Sequence, residues 1–303
     1  MSRNGFGRKL EGRVAIVTGA GGGLGRCHAK ALASWGAKIV VNDLDDAMAE
    51  TVAGEIRAEG GEAIVAAGSV TSEEQVARMA GRAIAEWGRI DILISNAGIL
   101  RDKSFAKMNL DDFRLVVDVH LMGAAICAKA VWPIMQQQQR GRIVLTTSSS
   151  GLYGNFGQAN YGAAKMALVG LMQTLGIEGE RYGIRVNCLA PTAATGMTDG
   201  VLAPGALAQL DPALVSPGLL ALVADEAPNR AILCAGAGHF AQAFVTLTEG
   251  CRIGGGEDAA ERVIANWAEI GDRSGEIVPG YGFMQAEREL ATAGFETVMA
   301  AAR

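Results

Sequence analysis

Aromatic side chains make up only 5% of this 303-residue chain, although half of it is hydrophobic. A core with so few rings is filled by small aliphatic side chains, which suits helices packed closely on a sheet. Histidine is scarce too: His28, His120 and His239 stand far apart, which argues against a zinc site, and no metal is expected. The five cysteines, Cys27, Cys127, Cys188, Cys234 and Cys251, include no C-x-x-C pair. Their odd count reads as buried thiols in a reducing compartment. Basic clusters are missing and the net charge is −5, which excludes the electrostatic footprint of a nucleic-acid or anionic-membrane binder. The apolar stretch from Val201 to Ala224 is broken by Pro204, Asp211, Pro212 and Pro217, so it does not read as a membrane span. The charged start M-S-R-N-G-F-G-R-K has no apolar region behind it, and the closing A-A-R is not a peroxisomal address. A cytoplasmic location is therefore expected.

What is present is an alternation. Short apolar runs at 14–17, 38–43, 63–67, 91–95, 142–147, 185–189 and 231–235 are separated by helical patterns. Unbroken apolar strands with helices between them predict a parallel sheet covered on both faces. The fold class expected is a doubly wound, Rossmann-type α/β domain, single, with a C-terminal helical extension. The core spans about 10–250 and the extension about 251–303. One long helix is expected over 111–138, and its four glutamines, Gln136 to Gln139, read as an exposed helix end.

The first strand runs into T-G-A-G-G-G-L-G, Thr18 to Gly25. Glycines there allow positive φ and close approach of a pyrophosphate, and the next helix opens with free N–H groups and a favourable dipole. Asp43 ends the second strand, eighteen residues after Gly25. A carboxylate at that place can accept from the adenosine ribose hydroxyls and repels a 2′-phosphate. No Arg or Lys occupies 42–46, so NAD is expected rather than NADP. Either Asp43 or Asp45 can cap the following helix while the other binds ribose.

Tyr161 and Lys165 are four apart and share a helix face, with Ser148 thirteen residues before the tyrosine. An ammonium beside a phenol is expected to lower its pKa and make it a proton carrier near neutrality. A serine hydroxyl beside it can hold a carbonyl or alcohol oxygen.

These motifs, with S-N-A-G at 95–98, occur in the order found in the short-chain dehydrogenase/reductase family, which the chain resembles over about 10–250. Longer blocks, V-N-D-L, N-A-G-I-L-R-D-K-S-F, V-H-L-M-G and G-L-Y-G-N-F-G-Q-A-N-Y, resemble the (3R)-hydroxyacyl-CoA dehydrogenase units of type 2 multifunctional β-oxidation enzymes, and the likeness extends to A-N-W at 265–267. The resemblance implies that Tyr161 is the general acid/base, that Lys165 lowers its pKa and holds the nicotinamide ribose, and that Ser148 holds the substrate oxygen. It implies that Gly19, Gly22, Gly23, Leu24 and Gly25 form the pyrophosphate loop, and that Asn96, Ala97 and Gly98 form a cofactor-side turn. Ser69 and Val70 stand where the family often has Asp-Val beside adenine, so the Val70 backbone is left for that contact. His120 stands where the wider family has a catalytic Asn; it is either a packed core histidine or a holder of water through its carbonyl. Pro191 and Thr192 replace the frequent P-G, and the backbone from Ala193 and Ala194 to Gly196 is expected near the nicotinamide amide.

The segment 198–218 carries Leu202, Leu207, Leu210, Leu214 and Val215, which form either an apolar lid for an acyl chain or steroid, or part of the core. The extension predicts an amphipathic helix with Val263, Ile264, Trp267 and Ile270 inward. The reading is an NAD-dependent oxidoreductase acting on a 3-hydroxyacyl-CoA or another apolar alcohol or ketone, with a homodimer or homotetramer implied by the resemblance. A steroid or steroid side-chain-CoA dehydrogenase is the alternative enzyme. A cofactor-sensing regulator without chemistry is the alternative class.

Overall fold

A computed structural model describes residues 9–194 and 204–295. Contacts divide the chain into two compact units, Met1–Ala243 and Phe244–Arg303.

In the first unit the chain alternates β1 (Val14–Val17), α1 (Gly23–Ser34), β2 (Lys38–Val41), α2 (Asp46–Ala58), β3 (Ala63–Val65), α3 (Glu73–Trp87) and β4 (Ile92–Ser95). Then come α4 (Leu110–Val117), α5 (Gly123–Gln138), β5 (Gly141–Thr146), α6 (Ser149–Tyr153), α7 (Ala159–Gly179) and β6 (Ile184–Thr192). The unit closes with α8 (Pro204–Leu207), α9 (Ser216–Val223), β7 (Ile232–Gly236) and β8 (His239–Ala243). The sheet order is β3-β2-β1-β4-β5-β6-β7-β8. All pairs through β7 are parallel, as the apolar runs predict. The strand expected to end the sheet is followed by another, β8, which pairs antiparallel with β7.

Every residue of β1, β4 and β5 is buried, because helices cover both faces. One core layer joins Leu32, Ile56 and Leu219 from α1, α2 and α9 to Val17 and Ile94. The other joins Met79, Met135 and Met172 from α3, α5 and α7 to Ile16 and Leu93. Cys127 and Cys188 are buried thiols as expected, whereas Cys27, Cys234 and Cys251 are partly exposed.

The helix expected over 111–138 is interrupted. Asp118–Met122 forms a π turn, and the Gly123 N–H reaches back to Asp118 O. By length and composition the run Leu110–Gln138 is apolar enough to cross a membrane, with mean hydropathy 1.6. Here its buried side chains Cys127, Val131 and Met135 belong to the sheet core. The glutamine run is not merely a solvated end. Gln138 grips Ile90, its Nε2 donating to the carbonyl (2.7 Å) and its Oε1 accepting from the N–H (3.0 Å).

The second unit contains α10 (Ala259–Ala265), α11 (Trp267–Ile270) and α12 (Phe283–Thr292). A single antiparallel bridge joins Leu247 to Ile277, and Arg288 donates to Thr248 O. The amphipathic helix expected here breaks at Asn266, and its apolar side chains do not turn inward: Ile264 is 75% exposed and Trp267 69%. None of residues 244–295 is buried, so this unit offers no interior to receive them.

Candidate active site

The order of strands reverses between β1 and β4, so the loops leaving them diverge and open a crevice at the carboxyl ends. Thr18, at the end of β1, ties the two lips together. Its Oγ1 accepts from Asn96 N (3.0 Å) and Ala97 N (3.1 Å). The Asn96 amide returns two bonds, to Thr18 O and Gly19 O, each 3.1 Å. Gly19 has φ +61°, and a Cβ there would lie 2.7 Å from Ala97 Cα, so only glycine lets the lips meet. Thr18 is a site-building residue that the motif reading passed over; its place directly before the glycine run is the signal.

A cavity of about 830 Å³ follows this crevice, lined at one end by Gly19, Gly22, Gly23, Leu24 and Asp43 and at the other by Ser148, Tyr161 and Lys165. Ser69, Val70, Asn96, Ala97, Gly98, His120, Pro191, Thr192 and Ala193 also line it, together with Thr146 and Thr147, which were not anticipated. Gly25 serves differently from the other loop glycines: a Cβ there would overlap Gly19 O, so it allows helix and loop to pack and does not face the cavity. Ala194 is absent from the described lining, and its N–H is already bonded to Leu210 O at 2.7 Å. Gly196 and Leu202 lie outside the described residues.

At the loop end, the two aspartates make different bonds. Asp45 caps α2, accepting from Ala47 N (2.9 Å) and Met48 N (3.1 Å). Asp43 accepts from Gly21 N at 2.9 Å and remains on the cavity wall. A carboxylate has about four acceptor positions, so it keeps capacity for ribose hydroxyls.

At the other end, α7 begins just after Gln158 and carries Tyr161 and Lys165 on one face. Ser148 ends the β5 connection in extended conformation and caps α6 by accepting from Ser150 N at 3.1 Å. The Lys165 ammonium lies 5.5 Å from the Tyr161 ring centroid and donates to Thr146 O at 2.5 Å. Lys165 is buried, and desolvation brings its pKa down to about 7. The expected acidification of the phenol does not occur in this state. Burial pushes the Tyr161 phenol up and outweighs the lowering by the Ser148 hydroxyl; the Asp102 carboxylate adds to the rise. The reason is burial, complete for Lys165 and partial for Tyr161, which favours the neutral form of each group.

His120 sits on the π turn and packs edge-on against Tyr161, with ring centroids 5.2 Å apart. Its Nε2 is 2.8 Å from Ile99 O and 3.1 Å from Ile99 N, the tautomer deciding which bond forms. Burial first, then the Lys165 charge, lowers its pKa to about 3, so the ring is neutral at physiological pH. It is a buried ring packed beside the phenol on the cavity wall. Gly98 makes room for it, since a Cβ at 98 would overlap His120 Cε1.

The apolar segment does not form a lid in its described part. None of 204–218 joins the described cavity lining. Val215 is fully buried in the core, Leu214 is 41% exposed, and Leu207 and Leu210 are half-buried. The segment is held to α1 instead, where buried His28 Nδ1 meets Ser216 Oγ at 3.0 Å.

The cavity fits a dinucleotide on its own chemistry. It has a helix N-terminus behind a glycine loop, a carboxylate at the far strand end, and two buried polar atoms on its wall, Thr146 Oγ1 and His120 Nδ1, without partners among the described residues. Such a crevice, with a serine, a tyrosine and a lysine on its floor, defines a nicotinamide-dependent oxidoreductase of the doubly wound class.

The short chain dehydrogenase family model matches residues 13–203, and the chain belongs to that family. It is 43% identical over 282 residues to a short-chain type dehydrogenase/reductase of Mycobacterium tuberculosis, covering 90% of this chain and 98% of the relative. It is also 49% identical over 203 residues to the peroxisomal multifunctional enzyme type 2 of Drosophila melanogaster, covering 64% of this chain and 33% of that enzyme. The matched stretch thus spans about a third of the fly enzyme's length. The solved full-length fly enzyme superposes with a TM-score of 0.79 at 35% identity, over 94% of this chain and 50% of that one. A 7α-hydroxysteroid dehydrogenase complexed with NADH and 7-oxo glycochenodeoxycholic acid superposes with a TM-score of 0.72 at 29% identity, over 78% of this chain and 98% of that one.

Proposed function

We propose that this oxidoreductase interconverts (3R)-3-hydroxyacyl-CoA and 3-oxoacyl-CoA thioesters with NAD. The observation that carries the reading is one continuous cavity with Asp43 and the glycine loop at one end and Ser148, Tyr161 and Lys165 at the other. The blocks shared with the type 2 multifunctional enzymes support the thioester substrate.

Gly19, Gly22, Gly23 and Leu24 would hold the pyrophosphate and Asp43 the adenosine ribose, with a charge that disfavours NADP. Bound NAD supplies the hydride acceptor for the carbon that bears the alcohol. Ser148 Oγ and Tyr161 Oη hold the C3 oxygen between them. Tyr161 takes the hydroxyl proton during oxidation and returns it during reduction. Lys165, with a pKa brought down to about 7, exchanges protons at the working pH and so keeps the phenol in supply. His120 presses on the phenol ring and fixes its direction. Exposed Leu115, Met122, Met166 and Ile177 on the long helices support assembly into a homodimer or homotetramer.

A steroid alcohol is the second reading, supported by the bile-acid complex of the neighbouring fold. NADH absorbance with (3R)- and (3S)-3-hydroxyacyl-CoA esters and hydroxysteroids, each with NAD or NADP, tests the proposal. Turnover confined to the (3R)-thioesters with NAD is expected. A steroid oxidised at higher kcat/KM than any thioester overturns it.

A further inference from the structure

Between the cofactor-side turn and the catalytic helix, the short segment 99–103 is fastened to the chain just ahead of Tyr161 by three bonds. Asn160 Nδ2 donates to Arg101 O (3.0 Å), Lys103 N donates to Gly157 O (2.9 Å), and Gln158 Nε2 donates to Asp102 Oδ2 (2.6 Å). Asn155 Nδ2 in turn donates to Gln158 Oε1 at 3.1 Å, which orients the amide so that its N–H₂ faces the carboxylate. Asp102, Asn155 and Gln158 all line the same cavity as Ser148 and Tyr161. The mouth beside the proton-transfer pair therefore carries a fixed negative charge. The two flanking cations do not neutralise it from within: neither belongs to the described lining, and Arg101 turns to Leu100 O and to Asp112.

We propose that Asp102, held by Gln158, is a specificity-determining residue that repels a carboxylate at the reacting end of the substrate and so selects neutral acyl thioesters over free 3-hydroxy acids. The inference rests on the thioester reading above and deepens it. A free 3-hydroxy acid carries its charge two carbons from the reacting alcohol, so it must bring that charge to the wall that Asp102 occupies. A thioester at the same carbon is neutral, and any charge on its carrier lies many bonds away. Asp102 is exposed to the solvent of the cavity, and a like charge brought up to it is still disfavoured, by an amount that falls as salt rises. Removing one restores binding of the other.

The test compares kcat/KM for 3-hydroxybutanoate and for its neutral N-acetylcysteamine thioester, with NAD, in the wild type, Asp102→Asn and Gln158→Ala. Asparagine keeps an acceptor for Gln158 and removes the charge. In Asp102→Asn the ratio of acid to thioester is expected to rise about tenfold or more. In Gln158→Ala, which loosens the brace and leaves the charge, both substrates are expected to slow together. A ratio that stays within about twofold of wild type in Asp102→Asn, or that rises as much in Gln158→Ala, overturns the charge filter and leaves the thioester reading standing. Absence of thioester turnover by the wild type overturns both.

Discussion

Replacing Lys165 by methionine should make the cofactor-free protein more stable below neutrality while removing its activity. Methionine matches the length of the stem and has no charge. The pKa of Lys165 falls from 10.5 to about 7 on folding, because its ammonium is buried. A depressed lysine pKa means the folded state carries a desolvation penalty that is fully present below pH 7. Between about 7 and 10.5 the unfolded chain still binds the proton and the folded chain does not, so wild-type stability rises with pH there, by about 1.4 kcal/mol per pH unit. Summed over the window, the penalty is roughly 5 kcal/mol at most. The variant also loses the donor to Thr146 O, which costs about 1–3 kcal/mol if that carbonyl stays unpaired. The net gain at pH 6 is then about 2–4 kcal/mol, shrinking steadily as pH rises. Urea unfolding of both proteins at pH 6, 7.5 and 9, read as midpoints at equal slope, gives the difference directly. A difference that does not change with pH, or a variant less stable than wild type at pH 6, would show that the buried ammonium carries no such penalty. The expected trade, stability against activity, is common where a site holds a group in an unfavourable state.

Acid should act on the other side of the molecule. His28 is buried, and burial lowers its pKa to about 4, so between pH 6.5 and 4 the unfolded chain takes up a proton that the folded chain refuses, and stability falls as pH falls. His28→Leu with Ser216→Ala removes that group and its partner; its melting temperature should drop less than that of the wild type from pH 7 to 4.5, and equal drops would show that His28 does not drive the effect. Gly98→Ala places a Cβ against His120 and should cost about 1–3 kcal/mol by overpacking. His120→Ala in the same chain should recover part of that loss in thermal melts, whereas simple addition of the two losses would sever the link. Asp43→Ser should narrow the NADH preference over NADPH by about tenfold or more, measured by fluorescence titration; an unchanged ratio would remove Asp43 from cofactor choice.

Much of this architecture was legible because β1 to β7 read as apolar runs, with β1, β4 and β5 buried throughout and the others in part. The strand β8 left no such mark: its residues His239 to Gln242 are exposed. The π turn was invisible because the apolar pattern continues through Asp118–Met122 while the hydrogen bonds slip by one residue. Gln138 was misread because a polar run suggests solvent, and only the fold brings Ile90 within its reach. The spacing of Ser148, Tyr161 and Lys165 predicts that they face one place, and they line one cavity. It does not reveal how far that place is buried, and burial reverses the expected shift of the phenol. Distance along the chain carries no measure of burial. The same limit applies to Leu214 and Val215, adjacent and both apolar, one exposed and one in the core.

In the proposed reaction the Tyr161 phenol carries the proton while a neighbouring carbon exchanges hydride. Tyr161→Phe keeps the ring against His120 and removes only the oxygen. With a 3-hydroxyacyl-CoA and NAD, kcat should fall by about 10²–10⁴ while the affinity for NADH changes by no more than about threefold. Turnover within about threefold of wild type at unchanged NADH affinity would show that the phenol does not carry the proton.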